Sequence, residues 1–233
     1  AKGTLALILA FVVLANAGIF WKMSYSKTHT SGDTIVVRVG DTVAANHPIS
    51  QALYIFEEEL ERISNGRFDV RVYINSALGG DRQQTESVIL GYMQGNTPPT
   101  SVLAGFDTRF MVVDLPFVFK SGEAAMKTLN GDLGEELDPI LEDLGLHAVG
   151  WTESGYRHIT TNNIEATSPE ALKGLSIRTQ ENPIHMASFQ AWGASPTPMA
   201  FSELFTALQQ GAVDAEENPL AVITANRLYE VQN

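Results

Sequence analysis

The chain has 233 residues, of which 44% are hydrophobic and 18% charged, a balance typical of a globular protein large enough for one or two domains. Lys plus Arg number 15 against 27 for Asp plus Glu, and the resulting net charge of −12 excludes nucleic acid and anionic lipid as partners unless a basic patch intervenes; none is present in the sequence. The absence of cysteine excludes disulfides, thiolate metal sites and a cysteine nucleophile together.

The first residues carry one basic side chain, Lys2, then a wholly apolar run from Leu5 to Ala15, then Ala15-Asn16-Ala17 before Gly18. A basic start, a short apolar middle and small residues for a peptidase read as a secretory signal peptide over residues 1–23. The competing reading is an uncleaved anchor, because Leu5 to Met23 is about the length that spans a bilayer and Trp21, Lys22 and Tyr25 suit its interface. Residues 24–33 read as a polar linker.

From Thr34 onward strand and helix patterns alternate. The β-branched run "TIVVRVG" predicts a buried strand. After it, Pro48 opens a helix with Leu53, Phe56, Leu60 and Ile63 on its apolar face, Glu57 to Glu59 facing mostly water and Gly66 as the stop. "RFDVRVYIN" alternates with period two, as a half-buried strand does, and "LGGDRQQTESVILGYMQG" predicts a loop entering a second helix. Pro98-Pro99 interrupts regular structure, "FMVVDLPFVF" reads as strand then loop, and Met126 to Ile140 as one helix. "LHAVGWTES" and "RHITTN" read as strands, and "SPEALKG" as a short helix capped by Ser168 and stopped by Gly174. "LSIRTQ" is a strand carrying Arg178, and "NPIHMASFQAWG" a helix opened by Pro183 and closed by Gly193. In "SPTPMAFSELFTALQQG" the prolines enforce an extended approach to a helix with Phe201, Leu204, Phe205 and Leu208 at helical spacing, Ser202 as candidate cap and Gly211 past its end. This alternation predicts an α/β fold with largely parallel sheets, whose ligands sit beyond the carboxyl ends of the strands.

The catalytic motifs fail one by one. The histidines at 29, 47, 147, 158 and 185 form no H-x-x-x-H or H-E-x-x-H pair, and no G-x-S-x-G elbow, phosphate-binding P-loop or dinucleotide fingerprint occurs. No metal and no cofactor is expected. Glu57 to Glu59 and Glu216-Glu217 are adjacent carboxylates that read as solvated rather than as a pair across a cleft. Anion binding is better supported, because Arg178 and Arg157 belong to strand patterns in a chain with few cations, and a guanidinium meets a carboxylate with two parallel hydrogen bonds. For each arginine the alternative is a pair with a surface glutamate. Asn218, just before Pro219, offers a donor and an acceptor to a ligand.

The segment "GASPTPMAFSELFTALQQGAVDAEENPL" with "YEVQ" after it closely resembles the extracytoplasmic solute receptors of tripartite ATP-independent periplasmic (TRAP) transporters, the DctP family. Gly193, Pro198, Leu208-Gln209, Val213-Asp214 and Glu217-Asn218-Pro219 follow that family's signature, and "LGGDRQQTE", "DLPFVF" and "SPEALKGLSIRT" resemble it further upstream. The resemblance covers about Thr34 to Asn233. It implies a two-lobed α/β periplasmic binding protein, with lobe 1 mainly in residues 34–155 and lobe 2 mainly in 156–233, the second lobe incomplete at its C-terminal side. It also implies a non-enzymatic periplasmic receptor that closes on a small carboxylate, a C4-dicarboxylate or a sugar acid, and delivers it to TRAP permease subunits driven by an ion gradient. By position, Arg178 corresponds to the arginine that salt-bridges the carboxylate, Arg157 to a second arginine near the ligand, Asn218 to a ligand-contacting asparagine and Phe201 to a pocket wall; Asp81 and Glu181 lie in segments that supply contacts in some members. After Gln94-Gly95 the family continues into a short strand, whereas here "NTPPTSV" follows at once. Two other readings remain: a sensor presenting its ligand to a membrane kinase, and an exported hydrolase or lyase using Glu216 or Glu217.

Overall fold

The computed structural model describes residues 34–162 and 164–232, together with the backbone of Leu14–Ala15, which pairs antiparallel with His147–Ala148. Apart from that pair, the signal or anchor expected over 1–23 and the linker after it lie outside the described residues. Among the described residues no helix is long and apolar enough to cross a membrane.

Two sheets organise the chain. The first has the order β2-β1-β3 and is all parallel, built from β1 (Ile35–Gly40), β2 (Phe68–Tyr73) and β3 (Gly95–Asn96). Helix α1 (Pro48–Ile63) links β1 to β2, with His47 capping it through Nδ1, which accepts from the Ile49 amide. Leu53 of α1 is fully buried against Val37, Val39 and Val70, with Phe56 and Leu60 packed beside them. Ile63, expected on that face, is 60% exposed at the last residue of the helix, while Leu60 one turn earlier still packs on the core. Helix α2 (Asp81–Ile89) returns the chain to β3. The strand after Gln94 is therefore present, reduced to Gly95–Asn96.

Beyond α3 (Thr100–Leu103), "FMVVD" is not a strand. Residues Thr108–Asp114 form a 3₁₀ helix, capped by Asp107, whose Oδ1 accepts from the Arg109 amide, and pinned by the wholly buried Phe110. The single helix expected through Met126 and Ile140 is two, α4 (Gly122–Leu129) and α5 (Asp132–Asp143), broken at Asn130-Gly131. Their core joins Leu129, Leu137 and Leu141 to Leu103, Phe110 and Trp151. "LHAVGWTES" shrinks to the two-residue strand His147–Ala148.

The second sheet has the order β4-β7-β5-β6, from β4 (Arg157–Thr161), β5 (Ser176–Thr179), β6 (Ser195–Pro198) and β7 (Ala215–Pro219). β5 runs parallel to both neighbours, and β4 is antiparallel to β7, so the sheet is mixed. Before β5, "SPEAL" makes a 3₁₀ turn at Pro169–Leu172 rather than an α-helix. Helix α6 (Pro183–Ala191) connects β5 to β6, α7 (Phe201–Gln209) connects β6 to β7, and α8 (Leu220–Ala225) follows β7. One face of the sheet packs Ile177 and Ala215 against Leu172 and Phe189; Leu204 and Leu208 of α7 form a further core with Val213, Ile223 and Leu228. The residue before α7 is Ala200, so Ser202 lies inside the first turn and is not its cap.

The α4–α5 corner has no space to spare. A methyl group on Gly134 would lie 1.9 Å from the Leu129 carbonyl oxygen and 3.2 Å from Nε1 of Trp151. In an open helix Gly→Ala gains about 1 kcal/mol; here Gly134→Ala is expected to lose roughly 1 to 3 kcal/mol through overpacking. Urea unfolding followed by tryptophan fluorescence checks the sign.

Candidate functional site

The site forms where the start of α2 meets the start of α7. Arg178 is the third residue of β5, in the interior of the second sheet, and only 1% of it is exposed. Its Nε and Nη2 both donate to the Met199 carbonyl oxygen, at 3.0 and 2.7 Å, on the link between β6 and α7. Its Nη1 is buried and has no hydrogen-bond partner. The guanidinium lies 5.9 Å from the ring centroid of Phe201, the first residue of α7, within cation–π range. Burial and the positive charge of Arg157 pull the Arg178 pKa down to about 10, while Glu217, Glu216 and Asp81 hold it up; it remains a cation at neutral pH.

Arg157, on the edge strand β4, is committed elsewhere. Its Nε and Nη2 grip the carboxylate of Glu217, with Nη2 3.0 Å from Oε1, and Nη2 also donates to the Glu217 carbonyl oxygen at 2.5 Å and to Asn218 Oδ1 at 3.2 Å. Burial alone would raise the Glu217 carboxyl; Arg157 and His185 outweigh it and bring the group down to about 2. The expected pair with a surface glutamate is thus a pair with a buried one. Glu216 and Glu217, read from sequence as solvated, sit on β7 with 0% and 4% exposure, because β7 is enclosed between β4 and β5. Glu216 accepts from Thr160 Oγ1 at 2.7 Å and from Asn218 Nδ2 at 2.6 Å, and its carboxyl is pushed up by burial. Both ends of the Asn218 amide are therefore engaged, with Glu216 and Arg157.

The first sheet contributes Asp81, at the start of α2. Its carboxylate accepts from Thr42 Oγ1 at 3.0 Å. Burial and the neighbouring Asp41 push its pKa to about 7, against the pull of Thr42 and Arg178. Close approach of the two halves places it there: a methyl group on Gly80 would sit 3.8 Å from Cβ of Ala200 and 3.9 Å from Oγ of Ser202, at the start of α7. A cleft of about 380 Å³ opens beside this contact, walled by Thr42 from the first half and Phe201 and Phe205 from the second. Arg178 lies behind Phe201 and is not part of that wall.

Of the six residues singled out in the sequence, Arg157 and Asn218 share a hydrogen bond, Arg178 feels the charges of Arg157 and Asp81, and Phe201 lies against the Arg178 guanidinium. Glu181 stands apart: it is exposed on the turn before α6. Its neighbours Gln180 and Asn182 make contacts that the sequence reading missed. Ser101 Oγ lies 2.5 Å from Gln180 Oε1, and Asn182 Nδ2 donates to the Ser101 carbonyl oxygen at 3.1 Å and to Asp114 Oδ2 at 2.7 Å. His185 stands between Asp114 and Glu217, 4.0 and 3.7 Å from their carboxylates. The Asn-Pro helix opening was visible in sequence, but its partners are 68 and 81 residues away.

Two α/β halves meeting beside a cleft, with a buried and partly unpaired arginine next to it, make a fold that known structures share. The TRAP periplasmic solute-binding protein from Polaromonas sp. JS666, solved with bound D-erythronate, superposes with a TM-score of 0.82 at 37% identity, over 85% of this chain and 65% of that one. The chain belongs to the DctP family, the bacterial extracellular solute-binding proteins of family 7, whose model matches residues 39–233. A solute-binding protein of Verminephrobacter eiseniae is 37% identical over 203 residues, 87% of this chain and 61% of that protein. The C4-dicarboxylate-binding periplasmic protein DctP of Rhodobacter capsulatus is 35% identical over 201 residues, covering 86% and 60%. The chain thus spans about three fifths of the length of these relatives.

The carboxyls set opposing pH dependences. Glu217 has its folded-state pKa depressed, so its contribution is present above its ordinary value near 4.5 and is lost as pH falls from there towards 2. Glu217→Gln is expected to cost roughly 3 kcal/mol at pH 7 by leaving Arg157 unpaired, and the deficit shrinks as the pH falls below 4.5. Asp81 is raised, so its penalty on the folded state grows as pH rises from about 4 to about 7 and is constant above, and Asp81→Asn is neutral below 4, increasingly stabilising up to about 7 and level beyond. Urea midpoints between pH 2.5 and 8.5 measure both trends.

Proposed function

We propose that this chain is an extracytoplasmic receptor for a small organic acid, held through its carboxylate by Arg178 and passed to a TRAP permease driven by an ion gradient. The observation that carries the reading is the unpartnered Nη1 of Arg178 in a site that is 1% exposed. A buried guanidinium donor left unpaired is costly, and a carboxylate oxygen supplies the charge-assisted bond it lacks. Phe201, which screens Arg178 from the cleft, has to yield for the ligand to reach it.

The surroundings favour a monoacid bearing hydroxyls, a sugar acid, over a dicarboxylate. The charge of Arg157 is already matched by Glu217, so a second carboxylate finds no free cation there. Asp81, with a pKa of about 7, repels a second carboxylate and offers a hydroxyl group both an acceptor and a shared proton. The D-erythronate bound by the Polaromonas relative is of that kind. Glu216 and Glu217 do not support hydrolysis, because a general base works best with a pKa near the operating pH and Glu217 is held near 2, while both oxygens of Glu216 are hydrogen-bonded.

A thermal-shift screen tests the reading. A sugar acid at a hundred times its dissociation constant is expected to add about 2.7 kcal/mol of stability. Arg178→Lys, which keeps the charge and loses the fork, should weaken binding at least about tenfold, and Arg178→Met should abolish the shift. A shift that survives Arg178→Met, or a panel of organic acids that produces none, rejects the assignment.

A further inference from the structure

We infer that Glu216 is a positioning residue that holds the Asn218 amide in one orientation, so that the group left for a solute is an N–H donor and not the carbonyl oxygen. The residue type alone offers both. Glu216 and Asn218 are two residues apart on β7 and therefore share a face of the second sheet. Arg178 shares that face too, because Ile177 pairs in register with Ala215 in the core beneath the sheet and the next residue on each strand points the other way. There Glu216 Oε2 accepts from Asn218 Nδ2 at 2.6 Å, while Arg157 Nη2 donates to Asn218 Oδ1 at 3.2 Å. Turning the amide over would set its oxygen against the Glu216 carboxylate and its N–H groups against the Arg157 guanidinium, so the network admits one orientation. In it a cation holds Oδ1 and an anion holds one Nδ2 proton. The second Nδ2 proton has no partner among the described residues.

Glu216 can fix Asn218 because it is itself fixed. It is 0% exposed; its Oε1 accepts from Thr160 Oγ1 at 2.7 Å across the β4–β7 pair, and Gln232 Oε1 lies 3.1 Å from the same hydroxyl. Away from water, a carboxylate oxygen that loses its donor is costly, so each of the two bonds opposes any movement of the amide. The charged and titratable groups around Glu216 are Arg157 and His158 on β4, Arg178 on β5 and Glu217 beside it on β7. Both oxygens of Glu216 are engaged within the protein, so it acts on a solute through Asn218. The inference rests on the carboxylate reading for the use a solute makes of the donor; the orientation itself is measured without ligand, so the two fail separately.

Side-chain amide NMR of the isotope-labelled, ligand-free chain tests it, with the Asn218 signals assigned by their loss in Asn218→Ser. The Nδ2 proton on the Glu216 carboxylate should lie well downfield of its twin. It should move upfield as pH falls, with a midpoint above 4.5, because burial raises the Glu216 carboxyl and protonation weakens the bond. Glu216→Gln keeps an acceptor for Asn218 and turns a donor to Thr160, so it is expected to hold the two signals apart and to remove the pH dependence. Glu216→Leu should bring them together. In titration calorimetry with D-erythronate, the acid bound by the Polaromonas relative, Glu216→Leu should weaken binding about tenfold, as the loss of one hydrogen bond does, and Glu216→Gln should restore it. Glu216→Leu combined with Asn218→Ser should bind no more weakly than Asn218→Ser alone. Asn218 signals that lie together in the unsubstituted chain, a pH profile that survives Glu216→Gln, or losses that add in full in the double variant overturn the inference. A chain that binds no erythronate counts against the carboxylate reading alone, and the amide signals then decide the role of Glu216.

Discussion

A cation buried inside a sheet is the constraint around which the rest of the molecule is arranged. Arg178 cannot shed its charge at neutral pH, and taking a guanidinium out of water is tolerated only where donors and charge are answered by the fold. The link after β6 answers two donors by presenting the Met199 carbonyl oxygen, and α7 answers the flat face by starting at Phe201. Asp81, Glu216 and Glu217 answer the charge at longer range. One donor, Nη1, has no partner within the protein, and on the proposed reading it bonds a solute carboxylate.

The two arginines differ in role because their strands differ in place. Arg157 stands on the edge strand β4 and closes on Glu217 in the neighbouring β7, forming a self-contained pair that also fixes the amide of Asn218. Arg178 stands in the interior of the sheet, flanked by β7 and β6, where no carboxylate takes a hydrogen bond from it. Identical side chains on one sheet thus end as a structural tie and, on the proposed reading, as a receptor group, and the difference comes from partner supply, not from chemistry.

What the sequence disclosed follows from how local each signal is. The strand at Ser176–Thr179, the Pro183 and Gly193 boundaries of α6 and the helix from Phe201 were legible because caps, stops and periodicity act within a few residues. "FMVVD" misled because a short apolar run suits a strand or a buried helical turn equally, and the deciding contacts of Phe110, with Leu103 and Trp151, are tertiary. Ile63 kept the helical period and is still exposed at the end of its helix. In the site, Arg178 stood out as a cation on an apolar strand. The burial of Glu216 and Glu217 was hidden because an acidic pair reads as surface until strands enclose it, and the role of Asn182 was hidden because the partners of its Nδ2 lie 68 and 81 residues away.

Titration calorimetry of this chain with D-erythronate and with erythritol, its uncharged polyol counterpart, asks most directly whether a carboxylate completes Arg178. The two share hydroxyls and size and differ in the one group that Nη1 is proposed to hold. Saturable binding of the acid with at least about a hundredfold preference over the polyol is predicted, since a charged hydrogen bond in a buried site contributes roughly 1.5 to 3 kcal/mol and an unpaired buried donor adds its own penalty. Erythritol binding as tightly as erythronate would contradict it.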